Sequence, residues 1–125
     1  MAGGYNSTGY RNGDGVPVVQ GQTAVTQGTS ITTGVTCNAY SGVITTVSQT
    51  VAGGAEASFT VTCDKVAATD TVSVAIKTHT SAGLFFAAVT TVAAGSFRIS
   101  LANLDAAAGN NVLVLNYVVH KAEAA

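Results

Sequence analysis

The alternation of apolar side chains with threonine or serine is the feature that most restricts how this sequence can fold. Residues 58–63, 71–77 and 96–101 each carry an apolar side chain at every second position. These apolar sets are Phe59, Val61 and Cys63; Val72, Val74 and Ile76; and Phe97, Ile99 and Leu101. Because successive side chains of a β-strand point to opposite faces, this period of two predicts strands that bury one face. Valine and threonine also favour strands and no helical period is evident, so we predict an all-β protein.

Short stretches that favour turns separate the predicted strands. They lie at residues 52–55, 64–65, 81–83, 93–95 and 108–110. Their spacing is close to that of a β-sandwich. A chain of 125 residues accommodates one domain with one hydrophobic core and leaves no room for a second. We therefore predict a single antiparallel β-sandwich domain over residues 16–121.

The two ends of the chain differ in composition from this domain. Residues 1–15 are rich in glycine and asparagine and have almost nothing to bury, which predicts an extended, flexible N-terminal arm. Tyr5 and Tyr10 have no core of their own, so together with Arg11 they are candidates for anchoring the arm to a partner. A disordered tail with incidental tyrosines remains the alternative. Residues 122–125 predict a loose C-terminal tail.

The scarcity of charge indicates self-association. Charged residues make up only 9% of the chain and hydrophobic residues 47%, and the mean hydropathy is +0.40. A typical globular chain carries roughly a quarter charged residues. Because a small monomer has too much surface to cover with so few charges, we expect part of that surface to be buried against other copies.

Several classes of partner and location are disfavoured by the same composition. No stretch approaches the ~20 apolar residues that a membrane-spanning helix needs, so we expect no membrane partner. The first residues lack the basic and apolar regions of a secretory signal, which predicts a product made in the cytoplasm. The five Lys and Arg residues are scattered, whereas nucleic-acid binding needs a clustered basic face. We expect no nucleic-acid partner.

Catalytic chemistry is not predicted, because titratable side chains are few. Cys37 and His79 are possible as nucleophile and base, but Cys37 has the spacing of a core strand residue. Both Cys37 and Cys63 are predicted to be free, buried thiols. An unrecognised enzyme would need a convergent set such as His79, Asp70 and Lys77. No metal-binding spacing occurs, so we predict no metal and no cofactor.

The last predicted strand is apolar on both faces and therefore needs cover on both sides. One face belongs to the core of the domain, and we expect the other to pack against another subunit. The candidates for core or subunit interface are Val112, Leu113, Val114, Leu115, Tyr117 and Val119.

The threonine-rich strand faces have two interpretations, which can both hold. In the first, these faces are the ordinary solvent-facing sides of strands. In the second, their threonine hydroxyl groups make hydrogen bonds between subunits. The threonines concerned are Thr32, Thr36, Thr45, Thr60, Thr62 and Thr90.

Six segments, taken in order, resemble a β-sandwich repeat of tailed-bacteriophage capsid decoration (cement), head-fibre and tail-fibre proteins. They are residues 29–36, 41–47, 55–62, 66–72, 94–99 and 103–104. The resemblance covers most of residues 20–121 and excludes the arm. It implies a jelly-roll-like domain that forms a homotrimer on the outer surface of the virion, without catalysis.

The resemblance implies the major capsid protein as a further partner. Because the domain is nearly the whole chain and carries no fibrous repeat, we expect a free-standing capsid ornament. It would bind at three-fold or quasi-three-fold positions of the phage head and stabilise the shell. The alternative is a receptor- or glycan-binding fibre domain that contacts the host surface. Phe59, Phe85, Phe86 and Phe97 are predicted in the core, and the chain has no tryptophan, so an aromatic sugar platform is not expected.

Overall fold

The structure, a computed structural model, describes residues 10–11, 17–18, 22–79, 84–105 and 109–122. Within these ranges the chain forms β-strands and no helix, which confirms the all-β prediction. The strands are β1 (Tyr10–Arg11), β2 (Pro17–Val18), β3 (Gln22–Thr26), β4 (Val35–Thr36), β5 (Ser41–Thr45), β6 (Gln49–Val51), β7 (Glu56–Thr62), β8 (Thr71–His79), β9 (Phe85–Ala93), β10 (Ser96–Asn103), β11 (Gly109–Asn111) and β12 (Leu113–His120).

Two four-stranded sheets pack face to face as a sandwich. The β10 sheet has the order β4-β7-β10-β9, and the β12 sheet has the order β3-β5-β12-β8. On one side of the sandwich the edge strands β8 and β9 lie together, and on the other side β3 lies beside β4. The pairs β1–β2 and β6–β11 form two further small ladders.

Both sheets are mixed rather than purely antiparallel. β3 runs parallel to β5 and β4 runs parallel to β7, while the other pairings are antiparallel. The sandwich is therefore confirmed, but the direction of two edge strands differs from the prediction. Alternation reports which side of a strand is buried and carries no information about strand direction. A jelly-roll topology stays a prediction.

The core forms at the alternating apolar positions. In the β10 sheet Phe97 lies opposite Val61 and Ile99 lies opposite Phe59, and all four are buried. The two sheets meet where the rings of Phe97 and Tyr117 pack with centroids 4.9 Å apart, tilted by 55°. Contacts between aromatic rings at this separation stabilise a pair beyond its buried area.

Three of the five predicted turns are found, at residues 53–54, 64–65 and 94–95. Gly54 and Gly95 adopt φ angles of +75° and +82°, which favour glycine. The turn predicted at 108–110 is wrong, because Gly109–Asn111 forms β11 and pairs with β6. Its partner is a strand far earlier in the chain, so local composition cannot reveal it. The turn predicted at 81–83 lies outside the described residues.

Part of the predicted arm pairs with the first residues of the predicted domain. Tyr10 lies opposite Val18 and Arg11 lies opposite Pro17 in a two-residue antiparallel ladder. Residues 1–9 and 12–16, like residues 123–125 of the predicted tail, lie outside the described part of the chain.

Candidate interaction surface

The residues considered for catalysis do not converge in the described part of the chain. Asp70 is buried just before β8, whereas Lys77 and His79 are exposed near its other end. Nine positions along an extended strand separate Asp70 from His79 by about 30 Å. Cys37 is buried beside Tyr117, and Tyr117 pairs with Val74, five positions before His79. Neither proposed combination forms a single site.

Among the described residues, no group of three or more histidine, cysteine or acidic side chains gathers in a way that could hold a metal ion.

A buried polar cluster surrounds the hydroxyl of Tyr117. The hydroxyl lies 2.9 Å from the carbonyl oxygens of both Cys37 and Ala39, and its single proton serves one of them at a time. Cys63 directs its thiol at the Ala39 oxygen at 3.3 Å. Burial raises the pKa of the Tyr117 phenol far above its usual value, so it stays neutral. The cluster fixes the segment between β4 and β5, and both thiols are free and buried, as predicted.

A second cluster fixes the end of β12. The Asp70 carboxylate accepts hydrogen bonds from the backbone N–H of Ala67 at 2.8 Å, from that of Ala122 at 3.1 Å and from the Lys121 ammonium at 2.5 Å. The Lys121 ammonium also donates to the Lys65 carbonyl. The first residue of the predicted loose tail, Ala122, is therefore tied to the domain.

The last strand divides between the core and the outer surface. Leu113, Leu115, Tyr117 and Val119 are buried in the core, whereas Val112 and Val114 are half-buried. Of the predicted set, Val112 and Val114 are the residues that are not fully buried. They are joined on the outer side by Asn116 and Val118, which are also half-buried.

Three successive rows of four paired residues on the outer face of the β12 sheet contain no ionisable side chain. Lys77, the extra residue of the bulge in β8, lies in the chain between the second and third rows, and His120 hydrogen-bonds Ser73 of the first row. The rows, set by the strand register, are Gln22, Ser41, Val118 and Ser73; Ala24, Val43, Asn116 and Ala75; and Thr26, Thr45, Val114 and Thr78. We call these residues the uncharged face. At its centre the side-chain oxygen of Asn116 is buried and has no hydrogen-bond partner within the described structure. An unpaired buried polar atom is costly.

The outer face of the β10 sheet carries three exposed large apolar side chains at one end. Leu84, Phe86 and Leu104 are 62%, 56% and 58% exposed, and we call them the apolar corner. The backbone N–H of Leu104 donates to the Leu84 carbonyl at 2.8 Å, which places these two residues side by side. Phe86 lies opposite Ala102, two positions before Leu104 and on the same face. Together the three expose on the order of 300 Å², which is comparable to the largest apolar patch of a typical monomer.

Phe86 was expected in the core, and that expectation is wrong. Phe85 and Phe86 are neighbours on β9, so their side chains must point to opposite faces, and Phe85 occupies the inner one. Two adjacent aromatic residues in a strand of a two-layer sandwich are thus the sequence signal for an exposed ring. Sequence reasoning missed Leu84 and Leu104 because they lie just outside the alternating segments.

The rest of this outer face is dominated by hydroxyl groups. Thr36, Thr60, Thr62 and Thr90 are exposed, as expected for the solvent side of strands. Thr90 and Ser100 share a hydrogen bond of 2.8 Å. In the register of β7 with β10, Glu56 and Arg98 are the charged residues of this face.

The side chains predicted to anchor the arm lie outside the described part of the structure. The backbone of Tyr10 and Arg11 forms β1, but their side chains are not among the described groups, and neither is any part of Tyr5.

No protein-family model matches this chain, no curated protein matches its sequence and no solved structure matches it. None of the described residues belongs to a helix with the length and hydrophobicity needed to cross a membrane.

Proposed function

We propose that this chain is a viral structural protein that assembles as a homotrimer and decorates the outer surface of a tailed-bacteriophage head. The observation that carries the proposal is the apolar corner of Leu84, Phe86 and Leu104, exposed on a domain that otherwise presents hydroxyl groups and few charges. A surface of this kind is suited to a contact that excludes water.

The apolar corner fits a contact between copies. Interfaces of homo-oligomers are more apolar than the remaining protein surface, and aromatic residues are enriched at their centres. Phe86 has an aliphatic neighbour in each direction on this face, namely Leu84 along the chain and Ala102 across the ladder. Three such corners meeting around a three-fold axis would bury the exposed rings.

Binding to the shell would follow from the trimer. A trimer at a three-fold or quasi-three-fold position presents the same contact three times, so that modest individual affinities add through effective concentration. The N-terminal arm with Tyr5, Tyr10 and Arg11 is the candidate for part of this contact with the major capsid protein.

Phe86→Asp is expected to break the trimer while leaving the fold intact. Its side chain is exposed, so aspartate adds no buried charge within the chain, but it would place three carboxylates close together at the three-fold contact. Light scattering of the wild type should give three times 12.4 kDa or a multiple of that mass, and the variant should need an at least ~30-fold higher concentration to form the trimer.

The matched control is Thr62→Asp, which introduces the same charge at an exposed position of the same sheet face, on β7. It should leave the trimer intact. A wild-type protein that remains a monomer at high concentration would contradict the proposal.

Capsid binding is tested by co-sedimentation with capsids that lack this protein. Wild-type trimer should sediment with the capsids and raise their resistance to heat, and a form lacking residues 1–15 should bind at least tenfold more weakly. Full binding by the truncated form would show that the arm takes no part in the contact. Absence of binding by the wild type would contradict capsid decoration.

A second function, recognition of a host receptor or glycan by a fibre domain, is favoured by one observation. Phe86 is an exposed aromatic ring on a face with a nearby hydroxyl pair, Thr90 and Ser100, and sugars stack on such rings. This function predicts that the purified protein binds host cells and that Phe86→Ala abolishes that binding. Capsid decoration predicts binding to capsids instead.

A further inference from the structure

The outer edge of β3 presents backbone groups without partners in the described structure. Gln27 donates its N–H to the Thr45 carbonyl at 2.8 Å. The backbone N–H and C=O groups of the odd-numbered residues of this segment therefore point toward β5. The N–H and C=O groups of Gln22, Ala24 and Thr26 therefore point away from the sheet, because backbone groups alternate along a strand. No other described strand pairs with this edge.

This edge lacks the features by which proteins normally prevent strand pairing. β3 contains no charged residue, no proline and no bulge, and Gln22, Thr23, Ala24 and Thr26 are exposed. Edge strands that remain solvated usually carry a lysine, a proline or a bulge that blocks a second chain. An uncharged five-residue edge is instead suited to receive another strand.

We propose that β3 pairs antiparallel with β3 of a second copy of this chain, across a two-fold axis at Ala24. In this register Ala24 faces Ala24 of the second copy, and Gln22 faces Thr26. All three outward-pointing residues then lie in hydrogen-bonded pairs, so the whole open edge is used. Such a contact is isologous, since each copy offers the same strand.

The second copy is the occupant that the surroundings fit best. The edge borders the uncharged face, whose first column is Gln22, Ala24 and Thr26. These three residues of the described edge offer no counter-ion to a charged peptide strand, whereas a second β3 continues the same rows of threonine, glutamine and alanine. The pairing would join two β12 sheets into one continuous eight-stranded sheet.

This contact is separate from the one proposed for the trimer. The apolar corner lies on the side of the sandwich formed by β8 and β9, and β3 lies on the opposite side beside β4. Both contacts can therefore form on the same chain, and each can be tested without the other.

The test uses the fact that residue 24 faces itself across the axis. Ala24→Lys would place two ammonium groups opposite each other, and Ala24→Asp would place two carboxylates there, so each variant alone should associate at least tenfold more weakly through β3. An equimolar mixture of the two should restore the association, because lysine then faces aspartate. Sedimentation equilibrium and native mass spectrometry measure both effects.

The experiment is carried out in the full chain that also carries Phe86→Asp, so that the apolar corner does not contribute. The matched control is Ala75→Lys, which adds the same charge to the same row of the uncharged face on the opposite edge strand, β8. Circular dichroism checks that each variant is folded.

The expected result is a dimer for the control, monomers for each single Ala24 variant and, on combination, dimers that contain one copy of each variant. A monomeric control, dimers unaffected by the Ala24 variants, or a mixture that forms no such mixed dimers would each overturn the proposal. None of these outcomes depends on whether the wild type forms a trimer or binds a capsid.

Discussion

Replacing Gly42 by alanine is expected to lower the free energy of unfolding by about 3 kcal/mol or more, which is at the upper end for overpacking a core. A β-carbon at this position would lie 2.3 Å from Cε2 of Tyr117 and 2.8 Å from the Cys37 sulfur. Tyr117 cannot move aside easily, because its ring packs on Phe97 and its hydroxyl is hydrogen-bonded in the core. Thermal unfolding should show a midpoint lower by roughly 10 °C or more.

Gly28→Ala is the matched control for this variant. An added β-carbon at Gly28 meets nothing within 4 Å, and its φ angle is not one that disfavours alanine. Its stability should equal or slightly exceed that of the wild type, because alanine reduces the entropy of the unfolded chain. Equal stabilities of the two variants would show that Tyr117 is not held where the structure places it.

Asp70→Asn is expected to cost about 3 kcal/mol at neutral pH, in the range for breaking a buried, hydrogen-bonded charge pair. The Asp70 side chain is 1% exposed and accepts three hydrogen bonds. The side chain of asparagine has one acceptor oxygen and one NH₂ donor, so its NH₂ group would point at one or more of these N–H donors. The partner Lys121 would also lose its counter-ion. Urea unfolding at pH 7 measures the loss.

The pH dependence of the same pair gives a second measurement. Burial by itself raises the pKa of Asp70, but the hydrogen bonds from Lys121, Ala67 and Ala122 and the lysine charge outweigh it, so the pKa lies below the ordinary 3.8. A carboxyl group with a lowered pKa contributes stability above its unfolded-state pKa and loses it as pH falls toward the folded-state value. The difference between wild type and Asp70→Asn should stay constant from pH 7 to about pH 5 and shrink below about pH 4.

Lys121→Met separates the charge from the backbone hydrogen bonds. It keeps the aliphatic stem and leaves the Ala67 and Ala122 N–H groups bonded to Asp70, so its cost should be smaller than that of Asp70→Asn. A gap between wild type and Asp70→Asn that persists unchanged at pH 3 would contradict the role assigned to the carboxylate.

The buried side of each strand could be predicted because it follows from the alternation of residues within that strand alone. Phe59, Val61 and Cys63 on β7 and just after it, like Phe97, Ile99 and Leu101 on β10, lie inside as their alternation indicates. The same rule, applied to the pair Phe85 and Phe86, excludes burial of both rings on one side. The exposure of one ring of this pair therefore followed from the sequence, whereas the exposure of Leu84 and Leu104 did not.

The candidate surfaces were less accessible to sequence reasoning. The last strand was expected to carry core and interface residues together, and the structure separates the buried Leu113, Leu115 and Tyr117 from the half-buried Val112 and Val114. The uncharged face is assembled from four strands that are distant in the chain, so no single segment displays it.

Strand content, the turns at Gly54 and Gly95 and the inward side of each strand follow from the residues in their order, because they depend on neighbours a few positions apart. Strand direction, sheet order and the open edge of β3 required the folded chain, because they arise from pairings between distant segments such as β4 with β7. The need for glycine at position 42 has the same origin, since the ring that excludes a β-carbon there comes from Tyr117, near the other end of the chain.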